Sequence, residues 1–383
     1  MSLFFIFCIY SVLIFLYSLY IYKTALPFYK PLTYQPNPNK PPIDLHKEYN
    51  EYQLQDTLTF NRLFFGLLIL FPYRFFFSFW IAILMNLHLR FYLLRFKAPE
   101  TDKNERKVIA WIISFWAKFF LIVNGVTVYE KHLPYEQVYK KYLGPNYDLK
   151  NQDNFSLIIC NHIGFFEVVV NMIKYSAGFI SAEQVKNYWF IGNIAKAMNC
   201  LFLTREKSSN RREIFQQLEE RQKRYYEKKL LSPLVLFPEG TTTCGRHILK
   251  FKKGAFYALL PIKPEIFNIF QEDEFHLAIG ASSVVTNYMR MYAYFRHRVY
   301  FVSDLPVVQP TDYMWKNWSH LGNEKWEIYA EVVRSMLSEI GNLKLSNKNY
   351  RDEKRYIDAI LTGKYDPNKY KDINTNSESK KNK

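Results

Sequence analysis

A histidine and a glutamate five residues apart form a pattern that suits acid–base chemistry. The mostly apolar segment Ser156 to Cys160 predicts a short strand that ends in Asn161-His162, and Glu167 follows after a glycine-containing turn. A histidine acting as general base needs a carboxylate to fix its tautomer and stabilise the imidazolium. Residues five apart point about 140° apart on a helix. The two side chains therefore meet only if His162 precedes the helix and Glu167 lies in its first turn.

Taken alone, such a pair is more often a histidine at a strand end and an unrelated glutamate on a solvated face. A second motif favours the catalytic interpretation. Leu234 to Thr243 reads LVLFPEGTTT, an apolar strand that stops at Pro238 and is followed by Glu239, Gly240 and three threonines. Gly240 permits close backbone approach, and threonine hydroxyls with nearby N–H groups can hold an anion. The simpler alternative is a Pro-Glu-Gly turn that caps a strand.

A third motif brings positive charge. CLFLTRE, Cys200 to Glu206, predicts a strand that delivers Arg205 at its C-terminal end. Arginine suits bidentate recognition of a phosphate, although a lone arginine is by default a surface ion-pair partner. Nearby basic residues predict a funnel for a polyanionic cofactor or lipid headgroup: Lys207, Arg211, Arg212, Lys250, Lys252 and Lys253.

Alternating strands and helices begin at Val126 and predict an α/β domain. Helical stretches such as Arg211–Leu230 separate the strand candidates, which are Ser156–Cys160, Tyr188–Ile191, Cys200–Thr204, Leu234–Phe237, Leu277–Ala281 and Val299–Val302. In an open α/β sheet the C-terminal ends of the strands gather at one edge, where ligands bind. The base, the phosphate clamp and the anion loop should therefore meet there.

Charge and composition indicate a membrane partner. Lysine and arginine number 51 against 35 acidic residues, and aromatic residues make up 18% of the chain. Such a chain suits nucleic acid or an anionic membrane surface, and the apolar segments favour the membrane over nucleic acid. The four cysteines are scattered without CxxC spacing and the eight histidines are dispersed, so neither a disulfide framework nor a metal site is predicted.

Residues 1–26 predict a transmembrane anchor, because Leu3 to Tyr22 carries no charge and is long enough to span a bilayer. A basic start and a small-residue cleavage site, the marks of a signal peptide, do not appear. The first lysines follow this segment, so the rest of the chain is expected on the cytosolic side or its organelle equivalent. Residues 27–58 are proline-rich and predict an extended linker.

Residues 59–127 predict a membrane-embedded helical hairpin and an interfacial helix. Pro72 and Arg74 interrupt the apolar block and leave Leu63–Tyr73 and Phe75–Leu89, each short for a bilayer span. We expect these pieces in one leaflet, with their arginines reaching the headgroups, and Val108 to Val123 on the same surface. The alternative is a set of core helices in a soluble bundle.

The C-terminal part divides into two segments. After the α/β domain, 128–310, residues 311–363 predict helices, one of which carries apolar residues at helical spacing: Trp326, Ala330, Val333, Leu337 and Ile340. Residues 364–383 are polar and charged, which predicts disorder.

Together these motifs resemble the glycerophospholipid acyltransferases of the endoplasmic-reticulum and bacterial type. NHIGFFE, CLFLTR, FPEGTTT and LLPIKP (Leu259 to Pro264) are similar to the four signatures of that family. FPEGTTTCGRHILKFKKGAF, LFPYRFFFSFW and EIGNLKLSNKNYRDEKRYIDAILTGK resemble the branch that reacylates lysophosphatidylcholine and lysophosphatidylethanolamine. The resemblance covers roughly residues 60 to 363. One departure is Glu167, which stands where the family has aspartate; a misplacement of about 1 Å can lower a rate about a hundredfold.

The resemblance implies a membrane-bound enzyme that transfers a fatty acyl group from acyl-CoA to the free hydroxyl of a lysophospholipid. No metal or redox cofactor is implied, since acyl-CoA is a co-substrate. His162 would be the base and Glu167 its partner. The implied substrate-binding residues are Arg205, Glu239, Gly240, Thr241 and Thr242, with Lys207, Lys250 and Lys252 as a patch for CoA or phosphate. A carboxylate would repel the substrate phosphate, so Glu239 is expected to orient Arg205 or to accept a hydrogen bond from a substrate hydroxyl.

Location and a second function stay open at this point. The family implies the endoplasmic reticulum, with a mitochondrial membrane as the alternative. The alternative function is a catalytically impaired accessory subunit that keeps the acyltransferase fold within a larger membrane complex. Glu167 and the aromatic-rich N-terminal span motivate it, whereas the presence of His162, Arg205 and FPEGTTT favours the enzyme.

Overall fold

The computed structural model describes residues 3–25, 33–34, 43–52, 59–95, 102–150, 153–188, 191–203, 211–268, 297–302 and 304–370. The strands in these ranges are β1 Thr33–Tyr34, β2 Ile43–Asp44, β3 Val126–Glu130, β4 Leu157–Cys160, β5 Gly178–Ala182, β6 Leu201–Leu203, β7 Leu234–Leu236, β8 His247–Ile248, β9 Ile262–Asn268, β10 His297–Val302 and β11 Lys344–Leu345. The helices are α1 Leu3–Ala25, α2 Leu45–Glu48, α3 Phe60–Arg95, α4 Lys103–Val123, α5 Glu136–Leu143, α6 Phe166–Tyr175, α7 Gly192–Ala197, α8 Arg211–Tyr226, α9 Asp312–Asn317, α10 Lys325–Gly341 and α11 Tyr350–Thr362.

The central sheet has the strand order β3-β10-β9-β4-β7-β5-β6. Neighbours are parallel except β9 and β10, which are antiparallel. The inner strands β4 and β7 are buried along their whole length, which explains their continuous apolar runs. Helix α10 packs on one face of the sheet, and α4 and α6 pack on the other. This arrangement confirms the predicted α/β fold with helices on both sides.

The predicted strands are partly confirmed. Residues Tyr188 and Ile191 are not in a strand, since a 3₁₀ helix, Glu183–Asn187, and the start of α7 occupy this part of the chain. The unpredicted β5 instead lies between β7 and β6. The fourth motif enters β9, where Pro264 is tolerated because the antiparallel pairing with β10 begins only at Ile266. The predicted strand Leu277–Ala281 lies outside the described residues.

The predicted hairpin of Leu63–Tyr73 and Phe75–Leu89 is wrong, because both segments belong to the single helix α3, which instead forms a hairpin with α4. Helix α3 continues through Pro72 for 36 residues, about 54 Å, and Arg74 is buried instead of reaching outward. Its antiparallel partner is α4, since Tyr92 bonds Glu105 near one end and Asn124 Nδ2 bonds the Ser78 hydroxyl at the other. A proline in a long helix loses a single backbone bond, which neighbouring packing can offset.

Helices α1 and α3 each contain a stretch long and apolar enough to cross a membrane, Ile6–Thr24 and Leu63–Leu94. They pack on each other through Ile14, Ile21 and Leu67. Most of both stretches is not buried within the protein, and large apolar side chains point outward: Leu13, Leu16, Phe65, Ile69, Phe76, Phe91 and Leu94. A core helix of a soluble bundle would bury these side chains.

The buried Arg106 joins the α3–α4 hairpin to the region around the central sheet. From the first turn of α4 its guanidinium donates to the carbonyl oxygens of Ala197 and Ser176 and to the hydroxyls of Ser176 and Ser232, at 2.5 to 3.0 Å. The opposite face of α4 leaves Trp111 and Phe115 exposed. Helix α4 is therefore amphipathic, with its buried face on the sheet domain.

Part of the predicted linker is folded onto the C-terminal region. Leu45, Tyr49 and Tyr52 pack against Tyr356 of α11, and the Tyr52 hydroxyl donates to the Asn349 carbonyl oxygen. The predicted disorder of the C-terminal tail is also wrong for residues 364–370, since the Tyr365 and Tyr49 hydroxyls lie 2.6 Å apart. The rest of that tail, residues 371–383, lies outside the described residues.

Candidate active site

The histidine and glutamate of the first motif meet as their spacing predicts. His162 follows the end of β4, before α6 begins, and Glu167 lies in the first turn of that helix. His162 Nδ1 and Glu167 Oε1 are 2.7 Å apart. The imidazole keeps 23% of its side-chain surface exposed, whereas the carboxylate is fully buried. A buried carboxylate on one ring nitrogen leaves the other ring nitrogen to face a substrate.

The backbone of the preceding turn also holds Glu167. Its Oε1 atom accepts from the N–H groups of Ile163, at 2.9 Å, and Gly164, at 2.6 Å. Both N–H groups lie just before the N-terminus of α6. Free backbone N–H groups and the helix dipole favour a negative charge at that end. The longer side chain of glutamate therefore reaches both the imidazole and the turn in this backbone.

Two neighbours that the sequence analysis did not identify fix the position of His162. Asn161 forms two hydrogen bonds with the backbone of Phe267 on β9, at 2.6 and 2.7 Å, which ties the end of β4 to its neighbour. The Phe237 ring stacks on the imidazole with its centroid 4.0 Å away. Both residues lie within motifs quoted above, NHIGFFE and LVLFPEGTTT, but the sequence by itself assigned them no role.

Glu239 connects the first motif, which contains His162, with its own motif, LVLFPEGTTT. Its two carboxylate oxygens accept from the N–H groups of His162, at 2.9 Å, and Leu249, at 2.8 Å. Its side chain is fully buried, and burial raises the pKa of its carboxyl to about 7. The sequence predicts a substrate contact or an orienting contact with Arg205 for Glu239. The burial and the backbone partners instead favour a residue that positions the histidine loop.

The FPEGTTT loop lies directly beside the histidine. Gly240 has φ +70°, and a Cβ at this position would meet the Lys252 side chain, so the lysine runs closely over the glycine. The Thr241 hydroxyl donates to the carboxylate of Glu353 on α11, and Thr242 is half-buried in the same wall. Lys252 therefore lies beside this loop, although it is exposed and, like Lys250, lines neither of the two cavities described below. Arg205 and Lys207 lie outside the described residues.

His162 stands between two cavities of different chemistry. One, of about 520 Å³, is apolar and is lined by α3, α4, α6 and α7, with Met85, Phe120, Val169 and Ile194 among its walls. The other, of about 510 Å³, is polar and is lined by Gly240, Thr241 and Thr242 opposite residues of α11 and Tyr370. His162 lines both. A group bound at the imidazole therefore has an apolar space on one side and a polar space on the other.

In the described ranges, no group of three or more histidine, cysteine, aspartate or glutamate side chains could hold a metal ion. Cys244 Sγ and His247 Nδ1 lie 3.5 Å apart, but both side chains are buried and burial raises the pKa of the thiol to about 11. This cysteine is therefore a structural thiol and not an exposed nucleophile.

Comparison with known proteins shows which family the sheet domain matches. An acyltransferase family model matches residues 146–269, which contain both His162 and the FPEGTTT motif. Lysophospholipid acyltransferase LPEAT1 of Arabidopsis thaliana is 28% identical over 207 residues, 54% of this chain and 49% of LPEAT1. Lysophospholipid acyltransferase LPEAT2 of the same plant is 26% identical over 217 residues, 54% of this chain and 39% of LPEAT2.

A structural relative is the 1-acyl-sn-glycerophosphate (LPA) acyltransferase PlsC from Thermotoga maritima, with a TM-score of 0.47, 18% identity, and coverage of 73% of this chain and 98% of PlsC. The chain spans about half the length, or less, of the two plant relatives. Residues 146–269 thus form an acyltransferase domain, and the chain is similar to lysophospholipid acyltransferases.

Proposed function

We propose that this protein is a membrane-bound acyl-CoA:lysophospholipid O-acyltransferase. The observation that carries the proposal is the position of the His162–Glu167 pair between an apolar and a polar cavity. A lysophospholipid and a fatty acyl thioester each have an apolar chain and a polar head. Both could therefore bind with their reacting atoms near His162 while the chains enter the apolar cavity.

The reaction requires one base and no covalent enzyme intermediate. The Nδ1–H of His162 donates to Glu167, so the Nε2 lone pair accepts the proton of the substrate hydroxyl. The hydroxyl oxygen attacks the thioester carbonyl, and an ester bond forms as the carbon–sulfur bond breaks. The imidazolium returns its proton to the leaving sulfur, which departs as the thiol of CoA. Glu167 stabilises the imidazolium throughout.

The exposed apolar surface of α3 and α4 supports the membrane part of the proposal. Phe76 and Phe91 on α3, and Trp111 and Phe115 on α4, are exposed, and other residues of the same two helices line the apolar cavity. A site beside the leaflet lets both acyl chains stay in lipid while the headgroups react. For the organelle, the expectation is the endoplasmic reticulum, with a mitochondrial membrane as the alternative, and subcellular fractionation distinguishes them.

Acyl transfer can be measured with the detergent-solubilised full chain. We would supply labelled oleoyl-CoA with lysophospholipids of different headgroups and compare wild type with His162→Ala. His132→Ala is the matched control, because His132 is exposed and bonded to Asp304 away from both cavities. We expect transfer by wild type and His132→Ala, and none above background by His162→Ala. Folded wild type that transfers to no acceptor would refute the proposal.

A further inference from the structure

Helix α11 forms one wall of the polar cavity beside His162. The residues that it contributes are Tyr350, Glu353, Lys354, Ile357 and Asp358. This helix lies beyond residue 269, where the match to the acyltransferase family model ends. The polar side of the candidate active site is therefore completed by a segment outside that match.

The position of α11 is fixed by its own contacts. Asn349 and Asp352 form a capping box at its N-terminus, which satisfies backbone N–H groups at the helix start. Its apolar face buries Tyr356, Ala359 and Ile360 against Leu45, Tyr49 and Leu249. Leu249 also donates its N–H to Glu239, and Glu239 accepts the N–H of His162 as well. The helix therefore packs on a residue that is bonded to the same carboxylate as His162.

Two carboxylates in this wall have different partners. Asp358 is paired with the ammonium of Lys369 at 2.8 Å, which balances its charge. Glu353 is 6% exposed and accepts its hydrogen bond from the neutral Thr241 hydroxyl. Burial raises the pKa of Glu353, so its ionised form gains from a cation placed beside it. His162, Lys252 and Lys354 surround it at electrostatic range, so the wall carries charges of both signs.

Two lysine ammonium groups also lie over the ring of Tyr350, an aromatic residue of this wall. The Lys252 and Lys354 ammonium groups lie 5.8 and 4.7 Å from the centroid of the exposed Tyr350 ring. An aromatic face beside a buried carboxylate is an arrangement that favours an alkylammonium group. A headgroup with a phosphate and an amine would place the phosphate toward Lys252 and the amine toward Glu353. A purely anionic headgroup would meet the carboxylate with like charge.

We propose that Glu353 is a specificity-determining residue that contacts the cationic amine of a zwitterionic lysophospholipid headgroup. The inference rests on the acyltransferase function proposed above. Glu353 selects among acceptors through the headgroup, whereas His162 acts on the reacting hydroxyl of every acceptor.

The test compares kcat/KM for two acceptors of equal acyl chain, lysophosphatidylethanolamine and lysophosphatidylglycerol, with oleoyl-CoA. In wild type we expect the ethanolamine acceptor to be favoured. Glu353→Gln should lower that preference about tenfold by slowing the ethanolamine acceptor, since a hydrogen bond to a charged group is lost, and Glu353→Asp should restore part of it. Glu339→Gln, which lies outside the cavity, is the matched control and should keep the preference.

A structural role for Glu353 would lower both acceptors alike and leave their ratio unchanged, and that result would overturn the inference. A second measurement uses wild type alone, with phosphoethanolamine and glycerol 3-phosphate as competing headgroup fragments. We expect phosphoethanolamine to inhibit about tenfold more strongly, and equal inhibition would also overturn it. Transfer to both acceptors without preference refutes only this inference, whereas transfer to none refutes the proposed function.

Discussion

His162 Nδ1 lies 2.7 Å from Glu167 Oε1, and that same oxygen also accepts the N–H groups of Ile163 and Gly164. One carboxylate oxygen thus orients the base and closes the turn that carries it. The arrangement matters because Glu167 stands where the family that this chain resembles has aspartate. The backbone of the α6 start is spaced for the longer side chain.

We therefore predict that Glu167→Asp impairs the enzyme, although it restores the residue type of the family. Removal of one methylene withdraws the carboxylate from the imidazole by about 1 Å, which should lower kcat about a hundredfold. Glu167→Gln should lower it more, by about 10³ to 10⁴, because the amide can donate to Nδ1 and select the wrong tautomer. Acyl transfer under saturating substrate measures both. Full activity of Glu167→Asp would contradict the prediction.

The buried Glu239 should make stability depend on pH. Its pKa of about 7 in the folded protein exceeds the ordinary value of 4.5. Between these values the folded chain binds more protons than the unfolded chain, so stability falls as the pH rises. Relative to Glu239→Gln, wild type should lose up to about 3 kcal/mol of unfolding free energy across this window.

Thermal unfolding of both proteins in detergent from pH 5 to 8 measures this difference. Glu239→Gln should also carry a constant penalty, because its amide nitrogen cannot accept from the N–H of His162 or Leu249. The informative quantity is therefore the change of the difference with pH. A difference that stays the same at every pH would show that Glu239 does not titrate in this range.

Gly240→Ala should disturb the polar cavity more than the fold. The φ of +70° costs about 1 kcal/mol for a residue with a Cβ, and that Cβ would lie 2.1 Å from the present Lys252 Nζ position. The flexible lysine end can move, so the protein should stay folded with its ammonium displaced. We expect the KM for the lysophospholipid to rise with little change in kcat, measured at saturating oleoyl-CoA. Gly363→Ala, a glycine of similar φ in open space, is the control.

Arg106→Ala should weaken the contact between α4 and the sheet domain and lower the free energy of unfolding. The change leaves the buried carbonyl oxygens of Ser176 and Ala197 without this donor, a loss of about 3 kcal/mol or more in unfolding free energy. The exposed neighbour Lys107 provides the control variant, Lys107→Ala, which should unfold like wild type. Thermal unfolding and limited proteolysis would report the difference. Equal stability of both variants would show that the apolar packing of α4 suffices.

Motifs that depend on neighbouring residues were predictable from the sequence. The His162–Glu167 contact follows from a strand end, a glycine turn and a helix start within a dozen residues, and each of these has a local signal. The Leu234–Leu236 strand and its loop follow from an apolar run that proline stops. Local propensity also explains an error, since Tyr188 to Ile191 has strand-like residue types, yet neither Tyr188 nor Ile191 lies in a strand.

Only the tertiary structure decided which distant segments complete the site. Glu353 lies 112 residues after Thr241 and yet bonds its hydroxyl, and Phe237, just after β7, stacks on the imidazole of His162, which follows β4. The continuous α3 was likewise decided by packing, which tolerates Pro72 where local rules predict a break. By itself the sequence determined the α/β class, the apolar helices and the chemical groups at each strand end. Their assembly around His162 was decided by long-range burial, which no local pattern records.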